Sequence, residues 1–309
     1  MEYDLESLSR TLGFNVREVE KVLRISDLLE DISNVKFLHE RLSLYGGTAL
    51  NFIYFEDIPR LSVDLDFNYR HIEEKDWGEV RDEVEDKIKK LLYMRGYEGS
   101  GLRINPSYPL GRIDVSYQNS SGLNDRFIIE IGYMRRYPIL REDSEAEFGH
   151  IGKKESFMIN TPIKEELFAN KFGVCFYRTT PRDVYDVYRI AEEDFKRDIF
   201  RKCVVIDSLM RGRPALDEID VTEKINSAST DTSLENLLSR RVNDDFKTIK
   251  KKVIEFGESI IEDLTKEEVN LIHEFYEKKK FRPDSIDDKG IFHSKLKENP
   301  AILWALKNL

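Results

Sequence analysis

Cysteine is almost missing from this chain of 309 residues. The two present, Cys175 and Cys203, sit in helical patterns without partner spacing, which argues against a disulfide framework or a zinc site and suits buried apolar roles. Also missing is any run of 18 apolar residues, so no membrane-spanning helix is expected. The opening Met1-Glu2-Tyr3-Asp4-Leu5-Glu6 has neither the basic start nor the apolar core of a signal peptide, and a cytoplasmic location follows as the expectation. Excess positive charge is lacking as well: 49 Lys and Arg against 59 Asp and Glu leave −10. That balance speaks against a protein that coats nucleic acid through a broad basic surface, while a local positive cleft stays compatible with it. No internal repeat is visible. What is present is ample apolar material, 40% of residues with 11% aromatic, enough for the cores of two domains.

The pattern along the chain changes once. Residues 6–33 carry Leu12, Val16, Val19, Val22, Leu23, Ile25, Leu28 and Leu29 at helical spacing, predicting two amphipathic helices. After Phe37 to Leu42 a Gly-Gly segment leads to a strand, and Glu74 to Arg95 reads as a charged surface helix with Val80, Val84 and Ile88 inward. The runs 111–117 and 125–133 are β-rich and are joined by the polar turn 119–124. From Thr161 helices take over. Thr161-Pro162 and Thr180-Pro181 each read as an N-cap followed by proline in the first turn, and Thr265 with Glu268 as a capping box. Residues 226–233 read as a loop. The expected fold is α+β, a mixed sheet with flanking helices over residues 1–155 and a mainly helical domain over 156–309.

The chemistry concentrates in Gly46-Gly47-Thr48-Ala49-Leu50 and Arg60-Leu61-Ser62-Val63-Asp64-Leu65-Asp66-Phe67. Strand alternation would put Asp64 and Asp66 on one face, about 7 Å apart along the backbone. Carboxylates so placed can hold divalent cations, which take oxygen ligands and keep positions for substrate phosphates. Glycines without Cβ let backbone approach a ligand, and a helix opening at Thr48 would offer free N–H groups to an anion. The plain alternative is an ordinary turn and an exposed strand edge. A third carboxylate would come from Glu130, a charge inside Phe127-Ile128-Ile129-Glu130-Ile131, or from Asp114, for which a cross-strand ion pair with arginine is the simpler role. In the helical half Lys171 follows Leu167 and Phe168 toward an inner face, where it either reaches phosphate or snorkels. Asp183 completes a capping box with Thr180, and Asp186 shares its helix face. The stretch Arg135-Arg136-Tyr137-Pro138-Ile139-Leu140-Arg141 is either a nucleic-acid contact or a solvated loop.

These strings resemble the signature of the AbiEii/AbiGii (MenT-type) nucleotidyltransferases, a branch of the polymerase-β-like superfamily. The likeness extends through residues 127–131, through 171–178 and 182–186, and to Pro300-Ala301-Ile302-Leu303-Trp304 near the end. Gly173-Val174 departs from the commoner Leu or Ala pair, and the acidic strand reads Val63-Asp64-Leu65-Asp66 where the motif is frequently Ser-x-Asp-Ile-Asp. The resemblance implies that a helical half completes the nucleotide site. In it Gly46, Gly47 and Thr48 hold the triphosphate, Asp64 and Asp66 bind Mg²⁺ or Mn²⁺ with Glu130 as third ligand and activator of the hydroxyl, Lys171 meets phosphate, and Asp183 lies near with Asp186 as runner-up.

The implied activity is transfer of NMP from an NTP to an acceptor hydroxyl, RNA and the tRNA 3′ end foremost, by the toxin of a type IV toxin–antitoxin or phage-defence system with a cognate antitoxin. Two other readings compete with it. One is an NTP-binding protein that acts through a partner without turnover; the other is a transferase acting on a small molecule or a protein.

Overall fold

A computed structural model of the protein describes residues 3–72, 76–105, 107–229, 232–242 and 244–309. The chain forms two compact units. Unit 1 takes Met1–Arg136, Ser144–Thr161 and Asn236–Val242; unit 2 takes Tyr137–Asp143, Pro162–Glu235 and Asn243–Leu309.

Unit 1 begins with α1 (Leu5–Leu12) and α2 (Val16–Asn34), capped by Asp4 and Asn15. Then come α3 (Lys36–His39), β1 (Leu42–Tyr45), α4 (Gly46–Ala49) with a π-helical turn Leu50–Tyr54, β2 (Leu65–Tyr69) and α5 (Trp77–Met94). Asp76 caps α5, and the predicted start of that helix at Glu74 lies outside the described residues. β3 (Leu102–Asn105), β4 (Leu110–Gln118) and β5 (Asn124–Gly132) complete a five-stranded sheet of order β1-β2-β5-β4-β3. Only β2 and β5 run parallel. The predicted strands and turn at 111–133 match β4 and β5, whereas β3 has no counterpart in the sequence reading. The hairpin of β6 (Ser144–Phe148) and β7 (Phe157–Thr161) is likewise new, and β7 sits beside β1.

The sheet has one dry face. Leu65, Phe67, Phe127, Ile129, Ile131, Ile113 and Val115 are buried there, and α2 and α5 pack in the same core. The alternate residues, among them Asp66, Glu130, Arg112 and Asp114, stand on the other face and keep partial access to solvent. Thr161 corrects an expectation: it ends β7 and donates its hydroxyl to Leu44 O at 2.9 Å, while the following helix starts at Lys164. A remote segment closes the unit. Leu61 N–H donates to Leu237 O at 2.9 Å, Ser239 N–H to Pro59 O at 3.3 Å and Arg240 N–H to Gly13 O at 2.8 Å.

Two carboxylates, the partly buried Asp27 and the buried Asp125, tie the α2 side of unit 1. Burial opposes ionisation of Asp27, but hydrogen bonds with His150 and Tyr3 and the charges of Arg95 and Lys153 outweigh it and hold its pKa to about 2. For Asp125 burial is again outweighed, by Arg17, Lys21 and the Arg126 N–H, and the result is also about 2. Both values lie below the unfolded carboxylate at about 3.9. The stability they supply is therefore present above about pH 4 and lost as pH falls toward 2. Urea midpoints measured from pH 6 down to 2 are expected to fall over that window, with a shallower fall in Asp125→Asn.

Unit 2 is helical: α6 (Lys164–Arg178), α7 (Pro181–Ile190), α8 (Arg197–Arg211), α9 (Val221–Ser227), α10 (Thr232–Glu235), α11 (Phe246–Glu262), α12 (Lys266–Lys278) and α13 (Pro300–Asn308). The Thr180 cap of α7 and the Thr265–Glu268 capping box of α12 match the sequence reading. Residues 226–229 and 232–233 lie in or between α9 and α10, and the rest of that predicted loop falls outside the described residues. The core is aromatic, with Phe172 packed 4.6 Å from Phe176, 5.7 Å from Phe200 and 5.8 Å from Phe256 by ring centroids. Cys175 and Cys203 are buried free thiols whose pKa burial pushes well up, as inert core cysteines require.

Candidate functional site

In unit 1 the two halves of the Gly-Gly and Asp-x-Asp motif meet. β1 delivers the chain into Gly46, which takes a left-handed φ of +73°. A Cβ on Gly46 would lie 2.0 Å from Asp66 Oδ2, so glycine is what lets the carboxylate stand against the turn. At Gly47 a Cβ would come within 2.8 Å of both Arg60 Nη2 and Ser62 Oγ. Arg60, only 3% exposed, and Ser62 thus face this backbone directly. Asn51 Nδ2 donates to Gly47 O at 2.8 Å from within the π-helical turn and fixes the loop from below. The helix opens at Gly46 rather than at Thr48. Thr48 is buried, and its hydroxyl donates to Asp64 O at 2.6 Å, tying the glycine turn to the Asp64 backbone.

β2 begins at Leu65, so Asp64 stands on the bend before the strand instead of within it. Asp66 pairs in register with Glu130 on parallel β5 and with Tyr45 on antiparallel β1. Glu130 lies opposite Arg112 on β4. The row Tyr45, Asp66, Glu130, Arg112 therefore crosses one face of four strands. Arg112 gives Nη1 to Glu130 Oε1 at 3.0 Å, and Nε and Nη2 to the two oxygens of Asp114 at 3.1 and 3.0 Å. Asp114 thus pairs with an arginine, though with Arg112 two positions away on its own strand rather than across strands as expected. Arg112's hydrogen bonds, together with the charges of Arg112, Arg126 and Arg103, keep the Asp114 carboxyl below the usual range. Tyr45 is held in turn, its hydroxyl accepting from Arg70 Nη2 at 2.9 Å.

The other predicted residues lie in unit 2. Lys171 and Asp186, both buried, form an ion pair at 2.9 Å. Asp183 accepts Nε and Nη2 of Arg178 at 2.9 Å each and also meets the Thr180 hydroxyl. Burial raises its pKa, but Arg178, Lys171 and Thr180 more than offset this and the net shift is downward. Gly173 has a packing reason, since a Cβ there would sit 2.4 Å from Asp207 Oδ2 and 2.7 Å from Arg211 Nε. The arginine stretch is engaged: Arg135 O accepts Arg70 Nη1 at 2.7 Å, Arg136 stacks on Trp77 at 3.7 Å and Arg141 Nε donates to Gly290 O at 2.5 Å.

Arg60, Ser62, Asn51, Arg70 and Arg112 were not assigned from sequence. Arg60 and Ser62 stand inside the motif itself, and Arg112 alternates with Asp114 on one strand face, so those three had a signal. Asn51 and Arg70 had none short of the fold. Elsewhere in unit 1 Asp27, Glu30 and His150 bring potential ligand atoms within 4.8 Å of one another. Lys153 and Arg95 ion-pair with this group, which reads as a charge network.

The Gly46 contact gives a direct test. Gly46→Ala is expected to cost about 1–3 kcal/mol through the left-handed backbone alone. It also drives Asp66 off the turn, so if this carboxylate serves the site, activity should fall further than stability does. Thermal melts alongside transfer rates separate the two effects.

The family model for the AbiEii nucleotidyl transferase toxin of type IV toxin–antitoxin systems matches residues 27–277. No curated protein matches the sequence. Among solved structures the chain is similar to MenT4, a nucleotidyltransferase toxin from Mycobacterium tuberculosis, with 18% identity, a TM-score of 0.63, and coverage of 97% of this chain and 98% of that one. The cyclic AMP-GMP synthase DncV of Vibrio cholerae, solved with nonhydrolyzable GTP, aligns at 13% identity over 91% of this chain and 90% of that one, with a TM-score of 0.23 on which nothing rests. Among the described residues no helix is long and apolar enough to cross a membrane.

Proposed function

The chain belongs to the AbiEii nucleotidyltransferase toxins of type IV toxin–antitoxin systems, and from that premise we propose that it moves NMP from an NTP to the 3′ hydroxyl of an RNA, tRNA foremost, using the row that begins at Asp66. The observation that carries this reading is the fit of Gly46 to Asp66, which sets a carboxylate directly against the glycine turn. Asp64 and Asp66, with Glu130 on the next strand, offer the oxygen donors that Mg²⁺ or Mn²⁺ takes, and the missing Cβ at Gly46 leaves Asp66 Oδ2 its room. Such a cation, when bound, supplies charge neutralisation for the triphosphate.

The protein's own groups do the rest. Backbone at Gly46 and Gly47 seats the triphosphate beside the buried Arg60. The acceptor oxygen forms a bond to the α-phosphorus, the bond from that phosphorus to the bridging oxygen of the β-phosphate breaks, and pyrophosphate leaves. The hydroxyl proton passes to Glu130, which Arg112 holds at 3.0 Å in a fixed orientation. For Lys171 the proposal adds a phosphate contact, with Asp186 orienting its ammonium at 2.9 Å and Asp183 securing the same helix pair. A cognate antitoxin is the expected protein partner.

The test is incubation of the full chain with each labelled NTP, Mg²⁺ and total tRNA. Label is expected in RNA with release of pyrophosphate, and chelation should abolish both. Nucleotide binding without pyrophosphate release in the presence of RNA, protein and small-molecule acceptors would sink the proposal in favour of a non-turnover binder.

A further inference from the structure

The open face of the five-stranded sheet continues past the Asp66–Glu130 row. On β5 the residues that share Glu130's face are Ile128 and Arg126, and four positions of strand carry Arg126 about 13 Å from Glu130. Arg126 pairs with Ser116 of β4, and Arg103 of edge strand β3 pairs with Asp114. Asp114 is occupied by Arg112 through two hydrogen bonds, and the Arg103 and Arg126 side chains are exposed beside it. In a chain of net charge −10 this is a local positive surface on the face that bears the transfer carboxylates.

Next to Arg126 the face opens into a cavity of about 590 Å³, within the range of small-ligand pockets. Ser100, Ser116, Gln118 and Asn124 line it, together with Tyr117 and the Arg17–Asp125 ion pair. Gly101 is needed there, because a Cβ would come within 2.9 Å of Ser116 O. A cavity of mixed apolar and polar lining flanked by exposed guanidinium groups suits a base and its adjoining phosphates better than a cation. Arg136 stacks on Trp77 and Arg141 donates to Gly290 O, so these two guanidinium groups are engaged within the protein.

We infer that the RNA acceptor of the transfer reading lies along this face, its terminal hydroxyl at the Asp66–Glu130 row, backbone phosphates at Arg103 and Arg126, and a base in the Ser100–Asn124 cavity. The direction of the strand rests on the transfer reading; the binding surface stands apart from it.

Fluorescence anisotropy with a short labelled single-stranded RNA tests the surface without turnover. Arg103→Glu/Arg126→Glu is expected to weaken binding about tenfold or more. The milder Arg103→Ala/Arg126→Ala should reduce the slope of log affinity against log salt by about 1.4, at about 0.7 for each phosphate no longer neutralised. Both positions are exposed, so melting midpoints should hold. Wild-type protein that binds no RNA, or arginine variants with unchanged affinity and salt slope, overturn the inference. RNA binding abolished in the arginine variants, with no label transferred by the wild type, would keep this surface and break the transfer reading instead.

Discussion

Asp66→Asn is expected to reduce nucleotide transfer about 10³-fold while leaving the melting midpoint near that of the wild type. The amide is isosteric, so it still fits against Gly46, where the carboxylate leaves no room for a Cβ. What it loses is charge. A carboxylate that neutralises the triphosphate through a bound cation contributes several kcal/mol in the transition state, and about 4 kcal/mol corresponds to that factor. Relief of repulsion from Glu130, its register partner, should if anything steady the fold. Single-turnover transfer rates with thermal melts check both halves. Retained transfer in this variant would move the chemistry away from the Asp66 row.

Lys171→Met is expected to destabilise unit 2 by about 3–5 kcal/mol, because it strips a partner from Asp186, which is 1% exposed. On a unit of this size that is on the order of ten degrees in melting midpoint. Lys171→Met/Asp186→Leu should recover much of the loss, since removing both charges of a buried pair is close to neutral. This separates two duties of the lysine. If the double variant melts like the wild type yet transfers poorly, Lys171 contacts phosphate; if transfer returns with stability, the ion pair is its whole role.

Legibility followed the strength of local signals. The acidic strand, the helix caps at Thr180 and Thr265 and the paired strands β4 and β5 rest on patterns of two to four residues, and these were readable. Val63-Asp64-Leu65-Asp66 alternates and so places Asp64 inside the strand, but the Thr48 hydroxyl holds the Asp64 carbonyl and the ladder begins one residue later. Thr161 reads as a cap because Pro162 follows it; its hydroxyl finds Leu44 instead, a partner 117 positions away. β3, β6 and β7 are short and partly exposed, so they carry little periodicity. The Arg112–Asp114 half of the bridge follows from alternation on β4, whereas the Arg112–Glu130 half needs the register of β4 against β5, which no local pattern encodes.

The return of Asn236–Val242 to unit 1 has a consequence for how the protein is made. The segment clasps Pro59 and Leu61, just ahead of the acidic bend, and Gly13 at the other end of the unit. A ribosome must therefore finish most of unit 2 before the carboxylate-bearing half can be fastened. The nascent chain stays without its clasp until late in synthesis, and a fragment ending before residue 236 lacks it altogether. For a toxin, this ties the fastened carboxylate-bearing half to a product that extends past residue 242.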